Sequence, residues 1–236
     1  MKILAVDTSS VVAGIAVMDD EQLLYEAYSH NRRNHSEILM PLMEHALKSC
    51  GMTVQDIDLL AVSIGPGSFT GLRIGVSTIK GLAQALDIPI AGVPTLDVLA
   101  HNVITNNSLV CPVMDARRDQ VYTALYRREG DFCTRLMPYS ALHISELAEK
   151  LIGYGEPVIF TGDGIASYKA KLKEMMGDSA LFAPSYLALQ RASVIAWLGR
   201  KEAAAGRTVT CFDLEPFYLR QSQAEQTKIR QMGEGV

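Results

Sequence analysis

The chain has 236 residues, of which 48% are hydrophobic and 20% charged, and its formal net charge is −4. That length and apolar content can bury one large core or two smaller ones, and the slight acidity excludes the broad basic field through which proteins bind nucleic acid by counterion release. No apolar run approaches the ~20 residues of a membrane helix.

The opening run Met1-Lys2-Ile3-Leu4-Ala5-Val6 is cut off by Asp7, too early for a secretory leader. Cys50, Cys111, Cys133 and Cys211 are scattered without a Cys-x-x-Cys pair, so neither a disulfide framework nor a thiolate zinc site is expected. A reducing, cytoplasmic setting is the expectation.

Ile3 to Val6, Val12 to Met18 and Gln22 to Tyr28 read as three successive strands joined by the polar turns Thr8-Ser9-Ser10 and Asp19-Asp20. From Ser36 to Cys50, Ile38, Leu39, Leu42, Met43, Ala46 and Leu47 recur at helical spacing, Gly51 offers a stop, and Pro41 is expected within about the first turn. Leu59 to Ile64 is continuously apolar, as a strand covered on both faces is. It runs into Gly65-Pro66-Gly67-Ser68-Phe69-Thr70-Gly71-Leu72-Arg73-Ile74-Gly75, the most glycine-dense segment of the chain. Leu72, Ile74, Val76, Ile79, Leu82, Ala83 and Leu86 then mark a second helix, capped by Ser68 or Thr70. A strand near Pro89 to Val93 closes this block.

A second block begins with strands at Leu109 to Met114 and Gln120 to Tyr126, separated by the turn Asp115-Ala116-Arg117-Arg118-Asp119. A polar helix around Ile144 to Leu151, a strand at Pro157 to Phe160 and the turn Thr161-Gly162-Asp163-Gly164, which opens another helix, follow. A last helix is expected from about Leu187 to Ala205, ended by Gly206, and then a polar, mobile tail after Arg220. Both blocks place an aspartate at a strand end, Asp7 and Asp115, and both use a glycine turn before a helix. Duplicated halves facing a cleft are the expectation, residues 1–102 and 103–236.

The Gly65 to Gly75 segment is either a tight strand-to-helix turn or an anion site; it fits neither the Walker A pattern nor the Rossmann fingerprint. Asp115, Arg117, Arg118 and Asp119 form either a catalytic charge cluster or a locally paired, solvent-facing corner. His30, His35, His45, His101 and His143 show no metal-ligand spacing, and no Ser/His/Asp or Cys/His constellation stands out. The two helices of the first block carry more apolar residues than one narrow stripe. The expected partner surface comprises Ile38, Leu39, Leu42, Met43, Ala46, Leu72, Val76, Ile79, Leu82 and Ala83, with methionines such as Met40 and Met43 suited to an adaptable contact.

The strings Ile3-Leu4-Ala5-Val6-Asp7-Thr8-Ser9, Gly65 to Gly75, Asp115-Ala116-Arg117-Arg118 with Val121-Tyr122, and Pro216 with Tyr218-Leu219-Arg220 together resemble the TsaB (YeaZ) family. They occur in the right order over nearly the whole chain. The resemblance implies an α/β, two-lobed fold, actin-like and Hsp70 ATPase-like, of the ribonuclease H-like kind. It also implies a part in bacterial tRNA modification, with TsaD, TsaE and TsaC attaching a threonylcarbamoyl group to the adenosine next to the anticodon.

In that scheme TsaD, a paralogue, performs the transfer and holds most of the tRNA. This chain is its required non-catalytic partner, docked through the two helices and able to form a homodimer when alone. The paralogue's His-x-x-x-His metal pair aligns with Thr95 and Leu99, so no transition metal and no catalytic residue are expected here. Asp7-Thr8-Ser9-Ser10 falls where related ATPases cradle phosphates and hydrated magnesium. ATP with magnesium is therefore expected only weakly or within the complex, and the rival reading is an ATPase or small-molecule kinase using the same cleft.

Overall fold

The structure, a computed structural model, describes residues 1–30 and 34–220; the tail expected to be mobile lies outside them. The first half contains strands β1 (Lys2–Asp7), β2 (Ala13–Asp19) and β3 (Gln22–Ser29), helix α1 (His35–Ser49), β4 (Leu59–Gly65), α2 (Phe69–Leu86), β5 (Ile90–Pro94) and α3 (Thr95–His101). The second repeats the plan: β6 (Asn106–Asp115), β7 (Gln120–Glu129), β8 (Phe132–His143), α4 (Ile144–Ile152), β9 (Val158–Thr161), α5 (Ile165–Met176), β10 (Ala180–Phe182) and α6 (Ala192–Ala204). The sheets have strand orders β3-β2-β1-β4-β5 and β10-β9-β6-β7-β8, so each is an antiparallel meander extended by two parallel strands. The duplication expected from the sequence is present strand for strand.

Each sheet is covered on both faces, which is why β1 and β4 are apolar without alternation. Leu4, Val6, Leu60 and Val62 face α1 and α2, while Ile3, Ala5, Leu59 and Ala61 face α6. In the second half, Leu109, Cys111 and Val113 pack beneath α4 and α5, and Val110 and Met114 meet α3. The final helix of each half is thus handed to the sheet of the other. The sequential division at residue 102/103 marks the repeat but not the packing unit, because α6 and Leu214 belong to cores built on the first sheet.

Specific polar contacts secure the exchange. Asp97 of α3 accepts hydrogen bonds from Tyr126 (2.5 Å) on β7 and Tyr139 (2.8 Å) on β8. Glu26 of β3 accepts from the amide and hydroxyl of Ser193 (3.0 and 2.7 Å) at the start of α6 and pairs with the Arg191 guanidinium. Burial works against the Glu26 charge, yet Arg191 and Ser193 hold its carboxyl below the usual range.

Five elements, β8, β10, α3, α6 and α1, differ from the sequence reading, and α3 is a helix that reading did not contain. The edge strand β8 carries few fully buried residues and little alternation, and β10 is only three residues long, so neither leaves a period-2 signal. The last helix starts at Ala192, not Leu187, because Arg191 is extended and Gln190 turns inward to bond Ser10. Pro41 is the seventh residue of α1 rather than a first-turn residue.

Candidate functional site

The parallel strands of both sheets point their C-terminal ends at one cleft of about 900 Å³. From the first sheet it receives the β1–β2 turn and the β4–α2 loop; from the second, the β6–β7 turn and the β9–α5 turn. The segment 217–220 lies along the rim. The amide of Phe217 donates to the Ile64 carbonyl (2.7 Å), which ties that segment to the end of β4.

The two segments of the first half that look like phosphate loops are packed against each other. A methyl group added at Gly67 would lie 2.2 Å from the Ser9 carbonyl oxygen, one at Gly71 2.0 Å from the Thr8 carbonyl oxygen, and one at Gly75 2.3 Å from Thr8 Oγ1. The Ser68 amide donates to the Ser9 carbonyl (2.7 Å), and the Thr8 hydroxyl donates to the Gly71 carbonyl (2.7 Å). Ser68 is the N-cap of α2, its hydroxyl accepting from the Gly71 amide (3.2 Å). The glycines therefore serve backbone-to-backbone contact, and α2 is launched from that contact.

The groups expected to cradle phosphate are largely committed inside the protein. Asp7 and Thr8 lie beneath the cleft surface, and only Ser9 and Ser10 of the four line the cavity. The Ser9 amide donates to Asp7 Oδ1 (3.1 Å), and Ser10 Oγ donates to Gln190 Oε1 (2.9 Å). Burial pushes the Asp7 carboxyl above its ordinary range, opposed by the nearby Ser9 and Ser63 hydroxyls and the Ser9 amide. Asp7 Oδ2, Ser9 Oγ and Ser63 Oγ carry no hydrogen bond among the described residues. His35 directs Nε2 to the Ser10 carbonyl (2.9 Å) while its Nδ1 has no partner among the described residues, and no hydrogen bond joins Ser9 to His35 there as a nucleophile–base pair would need.

On the opposite wall, Arg117, Arg118 and Asp119 all have positive φ (66°, 57° and 57°), which throws the two arginine side chains outward. The turn faces solvent as expected, but its charges are not paired with each other: Asp115 Oδ1 accepts from the Arg117 amide (2.7 Å) and from the Tyr168 hydroxyl (3.3 Å). Asp163 accepts from the Asp115 amide (3.3 Å). Burial, helped by the Asp115 charge, pushes its carboxyl up to about 6. Asp163, Arg73, Phe217 and Gln190 were not singled out as site residues in the sequence. The Thr161-Gly162-Asp163-Gly164 turn was the local signal for Asp163 and the Gly65 to Gly75 segment that for Arg73.

Of the ten residues expected at a partner surface, Leu39, Met43, Ala46, Leu72, Val76, Ile79 and Ala83 are 0–3% exposed, and all but Leu72 fill the core between α1, α2 and the first sheet. They are core residues, because helical spacing identifies a shared face without saying what covers it. Ile38, Leu42 and Leu82 remain half-buried, and Met40 is exposed. Thr95 and Leu99 are both fully buried. Among the described residues no cluster of three or more His, Cys, Asp or Glu could hold a metal ion, and no helix is long and apolar enough to cross a membrane.

A family model described as TsaD, tRNA N6-adenosine threonylcarbamoyltransferase, matches residues 27–228. The tRNA threonylcarbamoyladenosine biosynthesis protein TsaB of Bacillus subtilis (strain 168) is 36% identical, covering 95% of this chain and 96% of that protein. The chain belongs to the TsaB family. The TsaB of Escherichia coli (strain K12) is 29% identical, again over 95% of this chain and 96% of the relative. YeaZ from Pseudomonas aeruginosa superposes with a TM-score of 0.76 at 26% identity, over 92% of this chain and 99% of that one. An activator of 2-hydroxyisocaproyl-CoA dehydratase from Clostridium difficile with bound ADPNP shares the fold alone, with a TM-score of 0.52 at 10% identity over 88% of this chain and 97% of that one. The TsaB fold is thus the two-lobed, actin-like one that the sequence led us to expect.

Two predictions follow from the packing and the charge of this TsaB-family site. Gly71 and Gly81 lie in the same helix, but only Gly81 has open space where a side chain would go. Gly81→Ala should stabilise the protein by about 0.5–1 kcal/mol through helix propensity, whereas Gly71→Ala should destabilise it by about 1–3 kcal/mol through overpacking, both read from urea midpoints. Because the folded-state pKa of Asp163 is raised, the contribution of this group to native stability falls as pH climbs from about 4 to 6 and stays lower above that. Asp163→Asn should add up to about 3 kcal/mol at pH 8, the gain vanishing near pH 4, measured by denaturant unfolding across that range.

Proposed function

We propose that this protein is the non-catalytic partner of a TsaD-type transferase in threonylcarbamoylation of the adenosine next to the anticodon of tRNA. The observation that carries the reading is the end-to-end likeness to the Bacillus subtilis TsaB, whose name assigns that protein to threonylcarbamoyladenosine biosynthesis. Thr95 and Leu99 occupy the positions aligned with the transferase's metal pair, and a buried leucine offers no lone pair to a metal. The transfer chemistry then belongs to TsaD, the activated threonylcarbamoyl group to TsaC, and TsaE joins the assembly. Any ATP and magnesium belong to the complex rather than to this chain alone.

The docking face in this reading is the outer strip of the two helices. Ile38 and Leu42 are one turn apart on α1, with Met40 exposed beside them, and Ile74 and Leu82 are half-buried on α2. These side chains pack against the core without being enclosed by it, leaving apolar surface for a second helical pair. Homodimerisation of the free chain would use the same strip.

The test replaces two half-buried residues at the outer edge of the core and none of its fully buried members. Leu42→Asp with Leu82→Asp should keep the far-UV circular dichroism of the parent. It should reduce co-purification with TsaD by about tenfold or more, and lower the modified nucleoside in total tRNA of cells lacking the parent gene. Unchanged co-purification and unchanged nucleoside would overturn the docking assignment.

A further inference from the structure

The mouth of the interlobe cleft carries four arginines, Arg73, Arg117, Arg118 and Arg220, and none has a carboxylate partner among the described residues. Of the other described arginines, Arg127, Arg191, Arg200 and Arg207 are in ion pairs, Arg128 is buried, and Arg135 lies over the Tyr139 ring, so the cleft gathers unneutralised guanidiniums in one place. In a chain of net charge −4 this is a local concentration of unneutralised positive charge. Arg117 and Arg118 are exposed on a turn whose left-handed backbone projects them, and Arg220 is held near them by donating to the Ala116 carbonyl (3.2 Å).

Across the cleft, Phe69 and Tyr218 stack with ring centroids 4.5 Å apart. The Arg73 guanidinium lies 4.0 Å from the Phe69 centroid and donates to the Tyr218 hydroxyl (3.4 Å). Tyr218 remains 36% exposed. A positive rim interleaved with exposed aromatic rings is how proteins hold a single nucleic-acid strand: guanidiniums take the phosphates and a ring stacks on a base.

The floor of the same cleft points away from a free nucleotide. Asp163, half-buried, and Asp115, on the exposed turn, line it with negative charge, and the Ser68 and Gly71 amides at the start of α2 are already bonded to the Ser9 carbonyl and the Ser68 hydroxyl. A triphosphate entering the cleft would meet carboxylates, whereas a phosphodiester lying across the mouth would meet arginines. We infer that the cleft mouth is a binding surface for a short single-stranded stretch of RNA, with Arg73, Arg117, Arg118 and Arg220 on phosphates and Tyr218 stacked on a base. This rests on the proposed role in tRNA modification and adds a direct contact by this chain to the RNA held by its partner.

The test is fluorescence anisotropy with a labelled single-stranded RNA of about ten nucleotides, on the full chain over a range of salt concentrations. If all four arginines meet phosphates, log Kd should rise against log salt with a slope of about 2.8, falling to about 1.4 in Arg117→Gln/Arg118→Gln. That variant should bind about tenfold more weakly at low salt, as should Tyr218→Ala, with melting temperatures unchanged. Variants that bind like the parent, a slope that does not change, or displacement of the RNA by equimolar AMP would overturn the inference. Failure here is distinguishable from failure of the docking assignment: Arg117→Gln/Arg118→Gln should still co-purify with TsaD, and Leu42→Asp/Leu82→Asp should still bind the RNA.

Discussion

The backbone contact between the Gly65–Gly75 loop and the Thr8–Ser9 turn is the constraint on which the rest of the structure depends. Carbonyl oxygens of Thr8 and Ser9 occupy the space that Cβ atoms at Gly71 and Gly67 would need, and the Ser68 amide and Thr8 hydroxyl close the contact with hydrogen bonds. One consequence is geometric: α2 leaves the sheet at a fixed angle, so its Val76 and Ile79 enter the core and Leu82 reaches the outer strip. The other is chemical. Two segments that on an ATPase-like fold could each present amides to a phosphate instead satisfy each other.

The duplicated halves are made interdependent by exchanging their last helices. α3 carries Asp97 to the tyrosines of β7 and β8, and α6 is anchored to the first sheet by Glu26 and by the close approach of Gly199 to Ala61 and Ala91. A cleft built this way has walls that belong to both halves at once. The turn carrying Arg117 and Arg118 faces the N-terminal end of α2, which carries Phe69 and Arg73, because each sheet holds a helix of the other. The same fold can carry different functions, because function resides in the residues of the site and not in the scaffold.

Much of this was legible in the residues, and the limits have physical causes. Continuous apolar strands, polar turns and the glycine loop announced the first half and the strand–turn–strand start of the second, because doubly covered strands and strained turns restrict residue choice locally. The matching aspartates at the ends of β1 and β6 correctly signalled a repeat. What sequence spacing could not say is which partner covers an apolar face: Leu39, Met43 and Ile79 have the periodicity of an interface and are core. Nor could it place Phe217 and Tyr218, whose contacts with Ile64 and Phe69 join positions nearly 150 residues apart. The β6–β7 turn read either as a catalytic charge cluster or as a locally paired corner; the structure puts Arg117 and Arg118 on a left-handed, exposed turn with no carboxylate partner among the described residues.

The central claim is that the internal packing of Gly67 and Gly71 on Thr8 and Ser9 replaces nucleotide binding and leaves this chain as a platform for assembly. Titration calorimetry of the isolated chain with ATP and magnesium, followed by an assay for released phosphate, tests it most directly. The account predicts no magnesium-dependent heat at micromolar protein and no turnover. Micromolar binding accompanied by hydrolysis would contradict it and favour the rival reading of an ATPase or small-molecule kinase.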